Sequence, residues 1–185
     1  MQITNFEFKA KSLNQDKQEK ALSELGPRFI GEDHQTDTYF NVPFGRLKLR
    51  QGNIENSLIF YERENTAAAK QSNILLYKHE ANETLKEILI KVHGIKVIVD
   101  KKRRIYFIDN VKFHFDTVKD LGSYIEVEAI DSTGDIGIET LKQQCRKYSS
   151  LFGIEEPDYI SESYSDLIME INSGTDDSRK STNSV

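Results

Sequence analysis

Apolar and charged residues alternate along six segments of the chain, a pattern typical of β-strands that have one apolar and one polar face. The first segment is FEFKAK, residues 6–11, in which phenylalanine and alanine share one side of an extended chain and the charged residues share the other. Eight strands are predicted in total, at about residues 3–11, 36–42, 45–51, 57–64, 72–78, 96–108, 111–117 and 123–130.

Four other segments have the periodicity of helices with one apolar face. The second of them has the clearest limits, because Asn82 is a suitable N-cap and Gly94 a suitable stop. Strands therefore dominate and helices are interspersed among them, which predicts a strand-dominated α+β fold. The predicted helices cover about residues 14–25, 83–93, 136–152 and 161–171.

Length and composition favour one soluble cytoplasmic domain. The chain of 185 residues is long enough to bury a core without disulfides, and we assign residues 1–172 to the domain. Residues 173–185 lack apolar anchors and are predicted to be a disordered tail. No basic-then-apolar leader opens the sequence, and no apolar run approaches the roughly 20 residues of a membrane span. The one cysteine, Cys145, has the spacing of a helix core position, which indicates a packed thiol in a reducing compartment.

The charged faces of the strands carry more bases than acids. A solvated sheet face usually mixes serine, threonine and glutamine with its lysines, whereas these faces are almost wholly charged. Two interpretations stay open: a sheet whose charged face meets water, or a curled sheet whose charged face lines a binding site for a polyanion. The eight bases are Lys9, Lys11, Arg46, Lys48, Arg50, Arg63, Lys101 and Arg103, and the four acids are Glu7, Asp116, Glu126 and Glu128, an excess of four positive charges.

Such a face suits a phosphorylated ligand with a divalent metal ion. Arginine and lysine donate hydrogen bonds to phosphate oxygens. Carboxylates such as Glu7, Glu126 and Glu128 are the oxygen ligands that Mg²⁺ or Mn²⁺ takes together with phosphate. The formal net charge of the whole chain is −5, which disfavours non-specific binding of nucleic acid.

Part of the strand register follows from one turn. If residues 109–110 form a two-residue hairpin turn, Arg103 lies opposite Asp116 and Ile105 lies opposite His114. An arginine and an aspartate then share the charged face, where they form either a structural ion pair or a pair that holds the arginine for phosphate.

These segments resemble the CYTH superfamily of triphosphate tunnel enzymes, which includes class IV adenylate cyclases, thiamine triphosphatases and inorganic triphosphatases. The similarity covers about residues 3–168 and is closest to the bacterial group labelled class IV adenylate cyclase or simply CYTH-domain protein. It implies an eight-stranded antiparallel β-barrel that forms a triphosphate tunnel with flanking helices. The matching motifs are NFEFKAK, QTDTYF, GRLKLR, LIFYER, VDKKRRIYF, FHFDTVKDLGSYIEVE and SYSDLI.

The resemblance also implies a role for each charged residue. Asp116 would position a base or a second metal ion, and Asn5 departs from the family because it stands where the N-terminal signature has its first glutamate. Metal ligands would be Glu7, Glu126 and Glu128, and catalytic residues Lys9, Arg63 and Asp116. Phosphate would be bound by Lys9, Lys11, Arg46, Lys48, Arg50, Arg63, Lys101 and Arg103.

The resemblance implies an enzyme that needs Mg²⁺ or Mn²⁺ and acts on a nucleoside, inorganic or thiamine triphosphate. The reaction is either hydrolysis of the triphosphate or cyclisation of ATP. A non-catalytic module that binds polyphosphate or nucleotide is the alternative, because Asn5 replaces an acid. An RNA 5′-triphosphate site is disfavoured by the acidic net charge and the lack of clustered aromatic residues. Since relatives form dimers, the resemblance allows a homodimer.

Overall fold

The computed structural model describes residues 4–62, 70–71, 73–80 and 82–180. The strands in these ranges are β1 (Thr4–Lys11), β2 (Arg28–Phe40), β3 (Arg46–Gln51), β4 (Ser57–Glu62), β5 (Lys70–Gln71), β6 (Asn73–Lys78), β7 (Ile95–Ile108), β8 (Val111–Val118) and β9 (Gly122–Asp131). The helices are α1 (Gln15–Ser23), α2 (Glu83–His93), α3 (Ile138–Leu151) and α4 (Tyr164–Lys180).

Helix α2 has the limits that the sequence predicts. The side chain of Asn82 accepts a hydrogen bond from the backbone N–H of Leu85, at 3.1 Å. Gly94 follows the last turn with a φ of 68°, a conformation that glycine adopts without steric cost. Helix α4 continues to Lys180, into the segment predicted as a tail, and the end of the domain at residue 172 stays a prediction.

All nine strands form one antiparallel sheet, in the order β5-β1-β9-β8-β7-β2-β3-β4-β6. Strands β5 and β6 stand at opposite ends of this order, although only residue 72 separates them along the chain. Because Cα atoms two residues apart lie within about 7.6 Å of each other, the sheet curls until its two ends meet. The predicted strand-dominated architecture is therefore confirmed, with the two-residue β5 as an addition.

The register that the sequence predicts for the β7–β8 hairpin is confirmed. Arg103 pairs with Asp116, and Ile105 pairs with His114. Both pairs follow from the two-residue turn, because the length of a hairpin turn fixes which residues face each other.

Strand β2 begins at Arg28, eight residues earlier than predicted. Its first half, RFIGEDHQ, has no clean alternation and contains Gly31, where the pairing with β7 shifts. This half is nevertheless extended because it pairs with the far end of β7, a 14-residue strand. Tertiary pairing outweighs local pattern here, as is common for strands.

The outer face of the sheet is apolar and covered by helices. Helices α1 and α3 pack on β1, β8 and β9, and α2 packs through Leu89 on Phe40 and Leu49. Cys145 of α3 lies in this core, and burial raises the pKa of its thiol to about 12, which confirms a packed cysteine. No helix within the described ranges combines the length and the hydropathy needed to cross a bilayer.

The inner face of the sheet is apolar at one end and charged in the middle. Helix α4 begins at the apolar end, where its first residue, Tyr164, is buried. The buried side chains at this end are Tyr39, Ile59, Tyr61, Val97, Val99, Val118, Tyr124 and Tyr164.

Candidate functional site

A cavity of about 960 Å³ lies on the inner face of the curled sheet. Among the described residues, seven bases and five carboxylates line it, an excess of two positive charges where the sequence predicted four. The described part of the cavity wall has one base fewer than predicted, and one acid more because Asp37 and Glu55 line it while Asp116 does not. The bases are Lys9, Lys48, Arg50, Lys78, Lys101, Arg103 and Lys112, and the acids are Glu7, Asp37, Glu55, Glu126 and Glu128.

Asp37 is the centre of a buried cluster of cations. Its Oδ2 accepts hydrogen bonds from Lys48 Nζ at 2.9 Å and Lys101 Nζ at 2.8 Å, and its Oδ1 accepts one from Arg50 Nε at 2.8 Å. Burial alone would raise the pKa of Asp37, but these cations, Arg50 foremost, hold it well below its usual range. Asp37 is therefore an anion that fixes three predicted phosphate-binding side chains in one place.

Lys101 is the most buried cation of this cluster. Its side chain is 1% exposed, against 12% for Lys48. Burial lowers the pKa of Lys101 to about 7, because the pull of Asp37 is opposed by desolvation and by the neighbouring charges of Arg50 and Arg103. Lys101 can therefore gain or lose its proton near neutral pH.

A second cluster is built around Arg103. Its Nε donates to Asp116 Oδ1 at 2.7 Å, and its terminal nitrogen donates to Glu126 Oε2 at 2.6 Å. Tyr164 donates a hydrogen bond to Asp116 Oδ2 at 2.8 Å. Burial would raise the pKa of Asp116, but Arg103 lowers it, so the carboxylate stays charged. Asp116 is fully buried and does not line the cavity, and its carboxylate holds the guanidinium of Arg103.

The pairing of β1 with β9 brings predicted catalytic and metal-binding residues together. Lys9 lies opposite Glu126, and Glu7 lies opposite Glu128. Lys9 Nζ is 3.2 Å from Glu126 Oε1 and 4.0 Å from the centre of the Tyr164 ring. Burial would raise the pKa of Glu126, but Lys9 and Arg103 hold it well below its usual value, so this glutamate is ionised.

His114, Glu126 and Glu128 each bring one possible ligand atom to within 4.8 Å of the others. His114 Nδ1 lies 3.4 Å from Glu126 Oε2 and 3.5 Å from Glu128 Oε1. Burial lowers the pKa of His114, with Arg103 and Lys112 contributing, and thus favours the neutral imidazole that binds metals. Carboxylates suit Mg²⁺ or Mn²⁺, so this donor set fits a divalent ion.

Most of this chain matches a known protein family. Residues 4–164 match the model of the CYTH domain. The chain belongs to the CYTH domain family. No curated protein sequence matches the chain significantly.

Solved structures with the same fold come from several organisms. The PH1012 protein of Pyrococcus horikoshii OT3 has a TM-score of 0.75 at 23% identity, over 88% of this CYTH protein and 98% of its own chain. A candidate adenylate cyclase from Vibrio parahaemolyticus has a TM-score of 0.72 at 15% identity, and the match covers 89% of this chain and 97% of the Vibrio chain. A candidate adenylyl cyclase from Hippeastrum is described as having a dominant triphosphatase activity. It has a TM-score of 0.59 at 15% identity, and the match covers 94% of this chain and 96% of the Hippeastrum chain. At sequence identities below 25%, these similarities show a shared fold only.

Asn5 stands where the resemblance implies the first glutamate of the N-terminal signature. Its side-chain amide donates a hydrogen bond to Glu7 Oε2, at 3.3 Å, and the side chain is buried. Its Oδ1 has no hydrogen-bond partner among the described residues. Asn5 thus places a neutral amide group beside Glu7.

Glu55 is a site residue that the sequence analysis missed. Its Oε1 accepts from Lys112 at 2.6 Å and its Oε2 accepts from Arg50 at 3.2 Å. The loop that carries it is held by Asp33, which accepts hydrogen bonds from the N–H groups of Ile54 and Glu55, each at 2.9 Å. Asp33 lies outside the strand predicted at residues 36–42, so the alternation pattern gives no signal for this contact.

Three predicted phosphate-binding residues are not in the described cavity wall. The side chain of Lys11 is exposed to solvent. Arg46 lies near the start of helix α4, where it forms an ion pair with Asp166 at 2.9 Å. Arg63, which was also predicted to be catalytic, lies outside the described residues.

Proposed function

We propose that this CYTH protein is an enzyme that binds a triphosphate in its interior cavity and acts on it with the help of a divalent metal ion. One observation carries the proposal: buried cations suited to phosphate oxygens lie beside a carboxylate and imidazole cluster suited to a metal ion, in one cavity. Phosphoryl chemistry needs both, because charge on the phosphate oxygens must be neutralised while the phosphorus is attacked.

The two cation clusters would bind different parts of the triphosphate chain. Lys48, Arg50 and Lys101 form one wall through their common partner Asp37, and Lys9 and Arg103 form the wall beside Glu126. Charge-assisted hydrogen bonds from buried donors are stronger than those from exposed ones, because water competes less for the phosphate. A linear anion that spans the cavity would contact both walls.

The metal site lies next to the second wall. An ion held by His114, Glu126 and Glu128 would polarise a phosphoryl oxygen and so favour attack at phosphorus. Lys9 and Arg103 would stabilise the negative charge that develops on the phosphate oxygens. Asp116 keeps Arg103 oriented, so that this stabilisation is preorganised.

Hydrolysis is the first candidate reaction, because beyond the phosphate clamp and the metal ion it needs only water. The related fold from Hippeastrum, described as having a dominant triphosphatase activity, supports this order. Cyclisation of ATP is the second candidate. It is favoured by the apolar and aromatic side chains in the cavity wall, among them Ile54, Tyr77 and Phe107, which suit a nucleobase.

The test is an assay of the full chain with Mg²⁺ or Mn²⁺ and, separately, tripolyphosphate, ATP and thiamine triphosphate, with products resolved by ³¹P NMR. Orthophosphate identifies a triphosphatase, and pyrophosphate with cyclic AMP identifies a cyclase. The double variant Glu126→Gln and Glu128→Gln should lose turnover, whereas Glu139→Gln, at an exposed position of α3, should keep it. Saturable binding without product under either metal would contradict an enzyme and favour the binding module.

A further inference from the structure

Three cations share one carboxylate in the wall of the cavity. Lys48 and Lys101 both donate to Oδ2 of Asp37, while Arg50 spans Oδ1 and Oδ2, at 2.8 and 3.0 Å. Among the described residues, Glu55 is a second anion for Arg50, but neither lysine has another carboxylate within ion-pair distance. The cluster therefore keeps an excess of positive charge in a buried place.

Lys101 is the member that gives up a proton most readily. A guanidinium group does not lose its proton in proteins, which excludes Arg50 and Arg103. An ammonium group is strongly hydrated when exposed, and burial therefore disfavours its charged form. Lys101 is almost fully buried whereas Lys48 keeps partial contact with water, and the pKa of Lys101 near 7 agrees with this geometry.

The groups that face Lys101 come from three strands and one helix. Its cross-strand neighbour on β8 is Val118, which is apolar. One anion therefore opposes three cations around this lysine, and any further anion in the cavity would stabilise its charged form. The facing groups are Asp37 of β2, Lys48 and Arg50 of β3, Arg103 of β7 and the ring of Tyr164 of α4, which lies 5.9 Å from Lys101 Nζ.

We infer that binding of a triphosphate in this cavity draws a proton onto Lys101, and that Asp37 sets how far Lys101 is protonated beforehand. This inference rests on the proposed function. A triphosphate brings several negative charges close to the ammonium group, and a nearby anion raises the pKa of a lysine. Binding and protonation at Lys101 are then linked, so the affinity for triphosphate falls as pH rises above neutral.

The size of the effect follows from the fraction of Lys101 that is neutral before binding. With a pKa of about 7, binding at pH 7 takes up about half a proton at Lys101, and at pH 8 about 0.9 of a proton. Uptake is small at pH 6, where the lysine is already charged. Above pH 7 the affinity loses up to about tenfold per pH unit from this group alone.

The experiment is calorimetric titration of the full chain with sodium tripolyphosphate at pH 6, 7 and 8, in buffers of different ionisation enthalpy. The dependence of the heat on the buffer gives the number of protons taken up. Tripolyphosphate also exchanges protons with the buffer, but this contribution is common to every variant. The difference between wild type and Lys101→Arg therefore reports Lys101, because an arginine keeps its charge throughout this range.

We expect Lys101→Arg to bind tripolyphosphate with about half a proton less uptake than wild type at pH 7 and about 0.9 less at pH 8. Lys102→Arg is the matched control, because Lys102 is the next residue of β7 and its side chain is exposed; its proton uptake should equal that of wild type. Lys101→Met should bind more weakly at pH 6, and its affinity should fall less between pH 6 and pH 8 than that of wild type.

Asp37→Asn tests the second half of the inference. Without the carboxylate the pKa of Lys101 falls further, so uptake at pH 7 should rise from about half a proton toward one. Equal uptake in wild type, Lys101→Arg and Lys101→Met would overturn the inference while leaving the proposed function in place. Absence of tripolyphosphate binding in wild type, with and without Mg²⁺, would overturn the proposed function together with the inference.

Discussion

Arg103 and Asp116 face each other across the β7–β8 pair, with Arg103 Nε 2.7 Å from Asp116 Oδ1, and both side chains are buried. The same guanidinium also donates to Glu126 in the cavity wall. This guanidinium therefore joins two carboxylates on the inner face of the sheet. In the proposed function Arg103 would bind phosphate, and Asp116 would be a positioning residue for it.

Replacement of this carboxylate should disturb catalysis more than binding. We expect Asp116→Asn to lower kcat by about 10 to 100 fold with a smaller change in KM, because Arg103 loses the partner that orients it for the transition state. The free energy of unfolding should fall by about 3 to 5 kcal/mol, the cost of breaking a buried ion pair. Steady-state kinetics and urea unfolding measure the two effects.

The control for this variant is Tyr164→Phe, which removes one hydrogen bond to Asp116 and keeps both charges. Its loss of stability should be smaller, about 1.5 to 3 kcal/mol, as for one hydrogen bond to a charged group. A normal kcat in Asp116→Asn, or equal losses of kcat in the two variants, would contradict the positioning role.

The metal site should depend on its imidazole as well as on its carboxylates. We expect His114→Ala to weaken binding of Mn²⁺ by at least about tenfold, because one of three converging ligands is lost. Electron paramagnetic resonance of free Mn²⁺ measures this affinity without any substrate. His34→Ala is the control, since His34 is exposed and pairs with Asp100. Unchanged Mn²⁺ affinity in His114→Ala would exclude His114 as a ligand and leave the carboxylates to be tested.

A substitution at Asn5 tests whether an added carboxylate strengthens metal binding. We expect Asn5→Glu to raise the affinity for Mn²⁺ or to add a second ion per chain, because a carboxylate would then stand beside Glu7. Asn5→Gln keeps the amide chemistry and serves as the control for side-chain length. Titration of Mn²⁺ against both variants gives affinity and stoichiometry. Identical titrations for Asn5→Glu and wild type would show that Asn5 does not limit metal binding.

Stability at acid pH should depend on Asp37. Because the pKa of Asp37 is held below its usual value of 3.8, its charge stabilises the fold above that pH, and this contribution is lost as pH falls toward the lowered pKa. We expect Asp37→Asn to lower the free energy of unfolding at pH 7 by about 3 to 5 kcal/mol, since three buried cations lose their anion.

Urea unfolding of wild type and Asp37→Asn between pH 7 and pH 3 measures the difference. The difference should narrow below about pH 5, because Asp37 of the unfolded wild type then takes up a proton while Asp37 of the folded wild type is still charged. Asp16→Asn, at an exposed position in the first turn of α1, should cost less than about 1 kcal/mol. A difference that stays the same down to pH 3 would rule out Asp37 as the titrating group.

Much of the fold could be predicted from the local pattern of residues along the sequence. Alternation along the strands separates the apolar outer face from the charged inner face, because successive side chains of an extended chain point to opposite sides. Asn82 and Gly94 set the ends of α2 through capping, which involves only neighbouring residues. The Arg103–Asp116 register follows from one short turn for the same reason.

The Asp37 cluster could not be predicted in this way. Asp37 belongs to a predicted strand, but nothing near it in sequence indicates that Lys48, Arg50 and Lys101 converge on it. That convergence requires β2 to lie between β3 and β7, and strand order is a property of the whole sheet. Glu55 was missed for a similar reason, since its loop is held by Asp33 from β2.

The sequence by itself determined where eight of the nine strands lie, apart from the first half of β2, and which face of the alternating strands is charged. Only the tertiary structure decided how these charges are paired, that Lys11 is exposed, and that His114 joins Glu126 and Glu128. The physical reason is that local patterning depends on backbone geometry over a few residues. Charge pairing and burial depend on distances across the curled sheet, which exist only once distant strands have come together.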